Sequence, residues 1–300
     1  MGSTPPNSPG QGPVPEILPP GPVSNGYPTP SYNGGGYTVT PQPPPVRPRR
    51  RFGAAPATYV LMGINCAVYV LMVFDRVNPF KPSMEDLMRW GGDNAGNVLI
   101  LGQWVRIVTA MFVHGGLLHL GLNMWCLWNL GLLAEPLMGS FGVIAVYLLT
   151  GAAGDLLSTF RNFGWPLHDP NGTPYYPVGV GASGAIFGIA GALIVLLKSN
   201  RLPVPPEELK KLRRSVIYFA AINLVIGFSI NVGTSAIGAG IGVDNMAHVG
   251  GFACGLLFAA PMVPRIGSPR STFNLRLRTA VGMVIGVLVL FGFYIAQLPR

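Results

Sequence analysis

Apolar residues run along most of the chain in long continuous blocks, and seven of these reach the roughly 18 residues needed to cross a hydrocarbon core about 30 Å thick. They lie near 57–74, 114–134, 141–159, 181–198, 215–233, 245–263 and 279–297. The pattern predicts an all-α polytopic membrane protein. No apolar block precedes the first span within residues 1–50, so that span is expected to be retained as an anchor rather than cleaved as a signal. Three connecting stretches carry patterns of their own. In the loop 75–113, the stretch GQWVRIVTAMFVH places apolar residues at helical intervals. Part of it is expected to lie flat in the outer interface, anchored by Trp104 and Arg106. The loop FRNFGWPLHDPNGTPYYPVGV, 160–180, reads as irregular, and PVPPEELKKLRR, within 199–214, reads as the start of a short amphipathic helix. No internal repeat is visible.

Composition agrees with the pattern: 49% of residues are hydrophobic and 10% charged, against about 25% charged in soluble domains. The net charge of +9 suggests nucleic acid until its placement is examined. With seven alternating spans, fourteen of the twenty Lys and Arg fall on one side, before span one and between spans four and five and six and seven. The positive-inside rule then puts the N-terminus in the cytoplasm and the C-terminus outside. Basic charge sets topology here, and no nucleic-acid partner is expected. The composition points to a bacterial inner membrane. Cys66, Cys126 and Cys254 all fall inside spans, where they are expected to be small buried apolar residues. Residues 1–50 hold 15 of the 30 prolines and a single acid, Glu16. They are expected to form a disordered cytoplasmic tail, a solvated leader whose PPP run fits a partner with an aromatic groove.

Candidate chemistry comes from polar side chains at membrane depth, which are costly and therefore functional hypotheses by default. HLGLN places His119 and Asn123 four residues apart on one helix face. AHVGGFACG sets His248, Gly251 and Gly255 along one stripe, and Gly184, Gly188 and Gly191 form a comparable stripe beside Ser183. Small residues let helices approach closely, which brings Ser183 and His248 within reach of each other. A serine hydroxyl becomes a nucleophile when an adjacent base takes its proton, and imidazole suits that task. No acid is placed to complete a triad. Asp244, one turn earlier, stands at the outer end of its span, so a dyad is the simpler arrangement. Phe187, one turn after Ser183, is positioned to pack on the imidazole. His119, Asn123 and the Ser183 backbone amide are the candidate oxyanion donors.

The combination of HxxxN in span two, GASG opening span four and AHxxG in span six resembles the rhomboid family of intramembrane serine proteases. The resemblance covers about residues 55–265, with WVR and HGGLLHLGLN also similar to family signatures, and leaves an additional transmembrane helix at 278–298, as in the six-plus-one variety. It implies a six-span catalytic core that cleaves transmembrane segments of other membrane proteins near the outer face, in the lipid bilayer, with no cofactor and no metal. By position it implies Ser183 as nucleophile, His248 as base, and His119, Asn123 and the Ser183 amide as oxyanion donors, with Phe187, His114, Arg106 and Gly181 in support. His114 would brace the start of span two and Arg106 would be the first-loop arginine. Val105 separates Trp104 from Arg106 where the family has Trp directly before Arg, and Phe187 stands where many members have Tyr. Ala182, not proline, precedes the serine.

Other chemistries fit less well. A zinc protease wants HExxH on a helix, and neither His119 nor His248 is followed by Glu. An aspartyl protease needs facing carboxylates, for which only Asp155 and Asp244 are available, both near outer ends; Asp155 reads as a boundary residue and His168 as a loop residue without a role. A solute transporter would use His and Asn near the midplane. The main alternative is a non-catalytic protein on the same fold that binds or escorts membrane clients.

Overall fold

The computed structural model describes residues 55–168, 171–199, 202, 204–236, 243–265 and 269–298. The expected tail, 1–50, lies outside them. Helix α1, Pro56–Phe74, opens with proline in its first turn, where the missing N–H costs nothing. It buries Ala57, Thr58, Leu61, Asn65, Tyr69 and Met72 along one stripe, while Val60, Ile64, Val70 and Leu71 face outward, toward lipid. Cys66 is also exposed, contrary to the buried position expected of it, because it lies off that stripe.

The first loop is built of short pieces: α2, Met84–Arg89, capped by Ser83; the two-residue strand β1, Asp93–Asn94; α3, Ala95–Leu99, capped by Asn94; and α4, Arg106–Thr109, followed by a 3₁₀ turn, Ala110–Phe112. The interfacial helix expected over GQWVRIVTAMFVH is therefore confined to α4 and that turn. Gly102 at φ 69° redirects the chain before it, and extended Val113 ends it.

Helix α5, Leu117–Gly164, contains two membrane spans joined at Gly139, whose φ of 74° and ψ of 168° interrupt the helix. The stretch after it is not irregular as expected. Strand β2, Leu167–His168, pairs antiparallel with β3, Pro174–Tyr175, and β4, Val178–Gly179, pairs back onto β1 with Asp93 opposite Gly179. Two-residue strands are too short to leave a period in the sequence. Helix α6, Ser183–Leu196, follows. Helix α7, Pro206–Ala236, runs without a break through the stretch expected to start a short amphipathic helix, which is instead the polar first turns of this longer helix. Helix α8, Asn245–Ala259, continues as a 3₁₀ turn, Ala260–Arg265, and α9, Arg270–Ala296, closes the chain. Among the described residues α1, α5, α8 with its extension and α9 are long and apolar enough to cross a membrane, and α6 is a shorter apolar helix. The chain is an integral multi-pass membrane protein.

Helix α6 is the hub. Eleven of its fourteen residues are buried, so it is apolar on every side as an enclosed helix must be. Around it, α1 and α5 are joined to each other through polar ties as well as packing. Asn65 of α1 donates to the hydroxyl of fully buried Tyr147 of α5 at 3.0 Å. Glu135 accepts hydrogen bonds from Ala57 N (2.9 Å), Thr58 N (2.9 Å), Thr58 Oγ1 (2.8 Å) and Ser140 Oγ (2.6 Å), which fastens the start of α1 to α5. Truncating it strands several buried donors, each costing about 1–3 kcal/mol. Glu135→Ala is expected to destabilise the protein by about 3–5 kcal/mol, read as a lowered thermal midpoint in lipid; an unchanged midpoint would show that the staple contributes nothing. Helix α9 packs on the second half of α5, with Phe291 and Phe160 ring centroids 5.8 Å apart, and buried Ile295 joins Leu156, Leu99 and Ile107. Trp104 packs into that same cluster against α9 rather than serving only as an interfacial anchor.

Candidate active site

Glycine makes the centre of the bundle. A β-carbon at position 251 would lie 2.0 Å from the Gly184 carbonyl oxygen, one at 255 would lie 2.0 Å from that of Gly188, and one at 191 would lie 2.4 Å from that of Phe252. The backbones of α6 and α8 are thus in direct contact. On its other side α8 meets α5 at Gly154, where a β-carbon would come within 2.5 Å of the Ala247 carbonyl oxygen. Side chains that leave these stripes next to the contact are forced close together. Ser183 is the first residue of α6 and His248 lies in the first turn of α8.

The serine Oγ is 2.8 Å from His248 Nε2. Phe187, one turn along α6, stacks on the imidazole at 4.2 Å between ring centroids and 9° between planes. His248 Nδ1 is buried and has no hydrogen-bond partner. The nearest acid by sequence, Asp244, is occupied elsewhere: it caps α8 by accepting from Ala247 N at 3.0 Å and takes the Ser158 hydroxyl of α5. If Nε2 is to accept the serine proton, Nδ1 carries the ring hydrogen, and the stacked phenyl ring holds the plane that an acid would otherwise fix. Fourteen helical residues extend about 21 Å, short of a hydrocarbon core of about 30 Å. Helix α6 cannot cover the whole core, so an end of it is recessed from the membrane surface.

His119 and Asn123 occupy one face of α5 beside the start of α6. His119 Nδ1 accepts from Gly115 N at 3.3 Å, which leaves the ring proton on Nε2 as a free donor. That edge lies against Gly181: a β-carbon there would sit 2.7 Å from His119 Cε1, 2.8 Å from Nε2 and 3.7 Å from Asn123 Nδ2. Asn123 also donates to the His119 carbonyl at 2.9 Å. Gly181 is needed twice, for this contact and for its φ of 115°, and its N–H is pinned to the Ala110 carbonyl at 2.9 Å. Donors from α5 and the unpaired first-turn amides of α6 therefore converge on the space beside Ser183. Gly181→Ala is expected to displace the His119 ring and to slow any reaction at Ser183 on the order of 100-fold or more, measured as its initial rate; a rate within about twofold of the parent would show that the ring position is immaterial.

His114 is fully buried, with Nδ1 3.2 Å from the Phe112 carbonyl, and its ring meets that of His119 edge to face at 5.3 Å. Arg106 does not reach this place. Its Nη1 donates to the carbonyls of Met88 (2.7 Å) and Gly92 (2.8 Å), which shapes the first loop. The structure so brings together Ser183, His248 and Phe187, and beside them His119, Asn123, Gly181 and His114, and leaves Arg106 in the loop. Sequence reasoning passed over Gly154 and Ser158, which seat the α8 N-terminus, and Glu135. Glu135 alone left a signal, as an acid inside an apolar span.

A cleft of about 270 Å³ opens laterally between α5 and α7, lined by Trp125, Cys126 and Leu133 on one side and Leu212, Val216 and Phe219 on the other. Phe219 also contacts Phe187, at 6.2 Å between ring centroids, so the cleft wall touches the residue stacked on His248.

Residues 101–265 match the family described as the Rhomboid domain. The chain is similar to Rhomboid protease GluP of Bacillus subtilis (strain 168), 29% identical over 238 residues that cover 79% of this chain and 40% of that protein. It is similar to Rhomboid protease AarA of Providencia stuartii, 29% identical over 229 residues, 71% of this chain and 75% of that protein. RHOMBOID-like protein 6, mitochondrial, of Arabidopsis thaliana is 32% identical over 210 residues, 68% of this chain and 60% of that protein. The matched region thus spans less than half of GluP and a larger share of the other two.

Proposed function

The chain belongs to the rhomboid family, and from that membership we propose that it is an intramembrane serine endopeptidase acting on transmembrane segments of other membrane proteins. The observation that carries this reading is the 2.8 Å contact between Ser183 Oγ and His248 Nε2. A packing serine has no need of an imidazole lone pair, and a buried imidazole whose other nitrogen is unpartnered has no other evident role. The relatives GluP and AarA carry the name protease, which favours catalysis over client escort.

In this mechanism a substrate helix reaches the site from the bilayer through the cleft between α5 and α7 and unwinds locally, because a hydrogen-bonded helix hides its carbonyls. Ser183 Oγ attacks the scissile carbonyl carbon as His248 Nε2 takes its proton. The tetrahedral oxyanion is held by His119 Nε2–H, the Asn123 amide and the Ser183 N–H, aided by the positive end of α6. The imidazolium then protonates the leaving amine, the C–N bond breaks, and an acyl-enzyme remains. Water attacks it with His248 again as base, which restores the serine. Phe187 keeps the imidazole plane, while His114 and Arg106 support the oxyanion helix and the first loop. The catalytic core is assigned to 55–265, with 278–298 as an added span, the N-terminus in the cytoplasm and the C-terminus outside, in a bacterial inner membrane. The test is the full chain in lipid with a panel of single-span substrates, products read by mass spectrometry. Cleavage within or beside the transmembrane segment supports the reading. Stable association with no cleavage of any substrate points to the client-binding alternative.

A further inference from the structure

Behind the dyad, the first loop, α5 and α8 meet in three carboxyl side chains for which the chemistry above has no use. Asp93 of β1, 4% exposed, accepts from Thr159 Oγ1 of α5 at 2.9 Å. Asp244, which caps α8, accepts from Ser158 of α5. Asp155, 8% exposed, lies one turn before these two hydroxyl residues on the same face of α5, on the side from which they reach Asp244 and Asp93. Asp93 Oδ1 and Asp155 Oδ2 are buried without a hydrogen-bond partner.

Little positive charge reaches the group. Arg106 bears on Asp93, yet its Nη1 is directed at carbonyls of the first loop. Arg161 bears on Asp244, and its Nη1 donates to the Trp165 carbonyl. The Tyr147 hydroxyl is the other titratable group near Asp155. Among the described residues no ion pair joins any of the three acids to a base, and no group of His, Cys, Asp or Glu side chains is arranged to hold a metal. Three buried carboxylates without counter-charge cannot all ionise, so protons are the occupants that the cluster calls for.

We propose that Asp93, Asp155 and Asp244 form a proton-holding brace that positions the N-terminus of α8, and with it His248, and that loses its hold when the shared protons leave. The inference rests on the reading of Ser183 and His248 as the reacting pair. The linkage to the base is short. The second Asp244 oxygen binds Ala247 N, directly before His248; the Ala247 carbonyl rests on Gly154, beside Asp155; and Asp93 pairs with Gly179, two residues before Gly181.

Burial pushes the Asp93 carboxyl up to about 7, with the Asp244 charge adding to it, and burial raises Asp244 as well. A carboxyl raised in the folded state contributes stability that is complete below its unfolded value of about 4 and is lost as pH rises through the folded value. The brace therefore weakens as pH rises from about 4 through about 7.

The test uses the full-length Ser183→Ala protein in lipid, so that stability is read without self-digestion or turnover. Its thermal midpoint is expected to fall between about pH 4 and about pH 8, and Asp155→Asn or Asp93→Asn in that background, each a neutral stand-in for the protonated acid, to shrink the fall by about a third or more, because one titrating carboxyl and its repulsion are gone. In the catalytically intact chain the part of kcat/KM lost with rising pH should shrink in step. A midpoint independent of pH, a fall of undiminished size in both Asn variants, or failure of both to fold at about pH 5 overturns the brace. A parent chain that cleaves nothing while its midpoint still follows this course refutes the dyad reading and leaves the brace standing.

Discussion

Ser183→Ala is expected to lower cleavage of a single-span substrate on the order of 10⁴–10⁶-fold without unfolding the protein. The size follows from the geometry. Ser183 is the only hydroxyl within hydrogen-bond reach of His248 Nε2 among the described residues, and in the proposed mechanism its Oγ is the atom that forms the covalent bond. Alanine removes the nucleophile but leaves the helix start intact, since Ser183 caps nothing: the N-cap position is Ala182 and makes no side-chain capping bond. His248→Ala is expected to cost about as much, and the double variant little more than either one, because the two residues act as one unit. The check is product formation over time together with a thermal midpoint for each variant. Independent, multiplying losses would contradict a shared proton.

Gly251→Val is expected to reduce turnover on the order of 100-fold or more while touching no reacting atom. A β-carbon there would lie 2.0 Å from the Gly184 carbonyl oxygen, well inside an ordinary contact of about 3.5 Å. Backbone cannot rotate away as a flexible side chain does, so α8 must move off α6 by more than about 1 Å, and misplacement on that scale is worth about two orders of magnitude. Gly184 neighbours Ser183 and Gly251 is one turn from His248, so the displacement falls on the 2.8 Å contact itself. Overpacking adds a stability cost of about 1–3 kcal/mol. Gly63→Val is the control: position 63, on the outer side of α1, has nothing within 4 Å, and its rate should match the parent. Cleavage rates beside limited proteolysis separate a misaligned pair from an unfolded chain. An unaltered Gly251→Val rate would mean that close approach of α6 and α8 is not what aligns the dyad.

Much of this was legible in the chain because lipid makes strong demands on sequence. Long apolar blocks have one inexpensive backbone solution, so the helices at 57–74, 245–263 and 279–297 stand close to where hydropathy puts them. Polar side chains inside such blocks are rare enough that His119, Asn123, Ser183 and His248 draw attention on chemistry alone. The glycine offsets on two blocks were readable as facing stripes, and their carbonyl contacts in the structure follow that pairing. The parts that were not legible are those held by tertiary contact. Strands β1 and β4 are two residues each, and their pairing joins positions 93 and 179, a separation that no local pattern encodes. Trp104 carries the signature of an interfacial anchor, and only the position of α9 turns it into a packing residue. Asp155 resembles a boundary residue because its neighbours Asp93 and Asp244 are 62 positions before it and 89 after it. The break in α5 rests on Gly139, a residue type that unbroken membrane helices also contain.

The central claim is that Ser183 is a nucleophile activated by His248. Its most direct measurement is covalent capture: the full chain in lipid is treated with a fluorophosphonate and the adduct is located by peptide mass mapping. The account predicts one adduct, on Ser183, absent from Ser183→Ala and lost from His248→Ala. No adduct on the folded parent chain, or an adduct on Ser183 that forms as fast without His248, would contradict it.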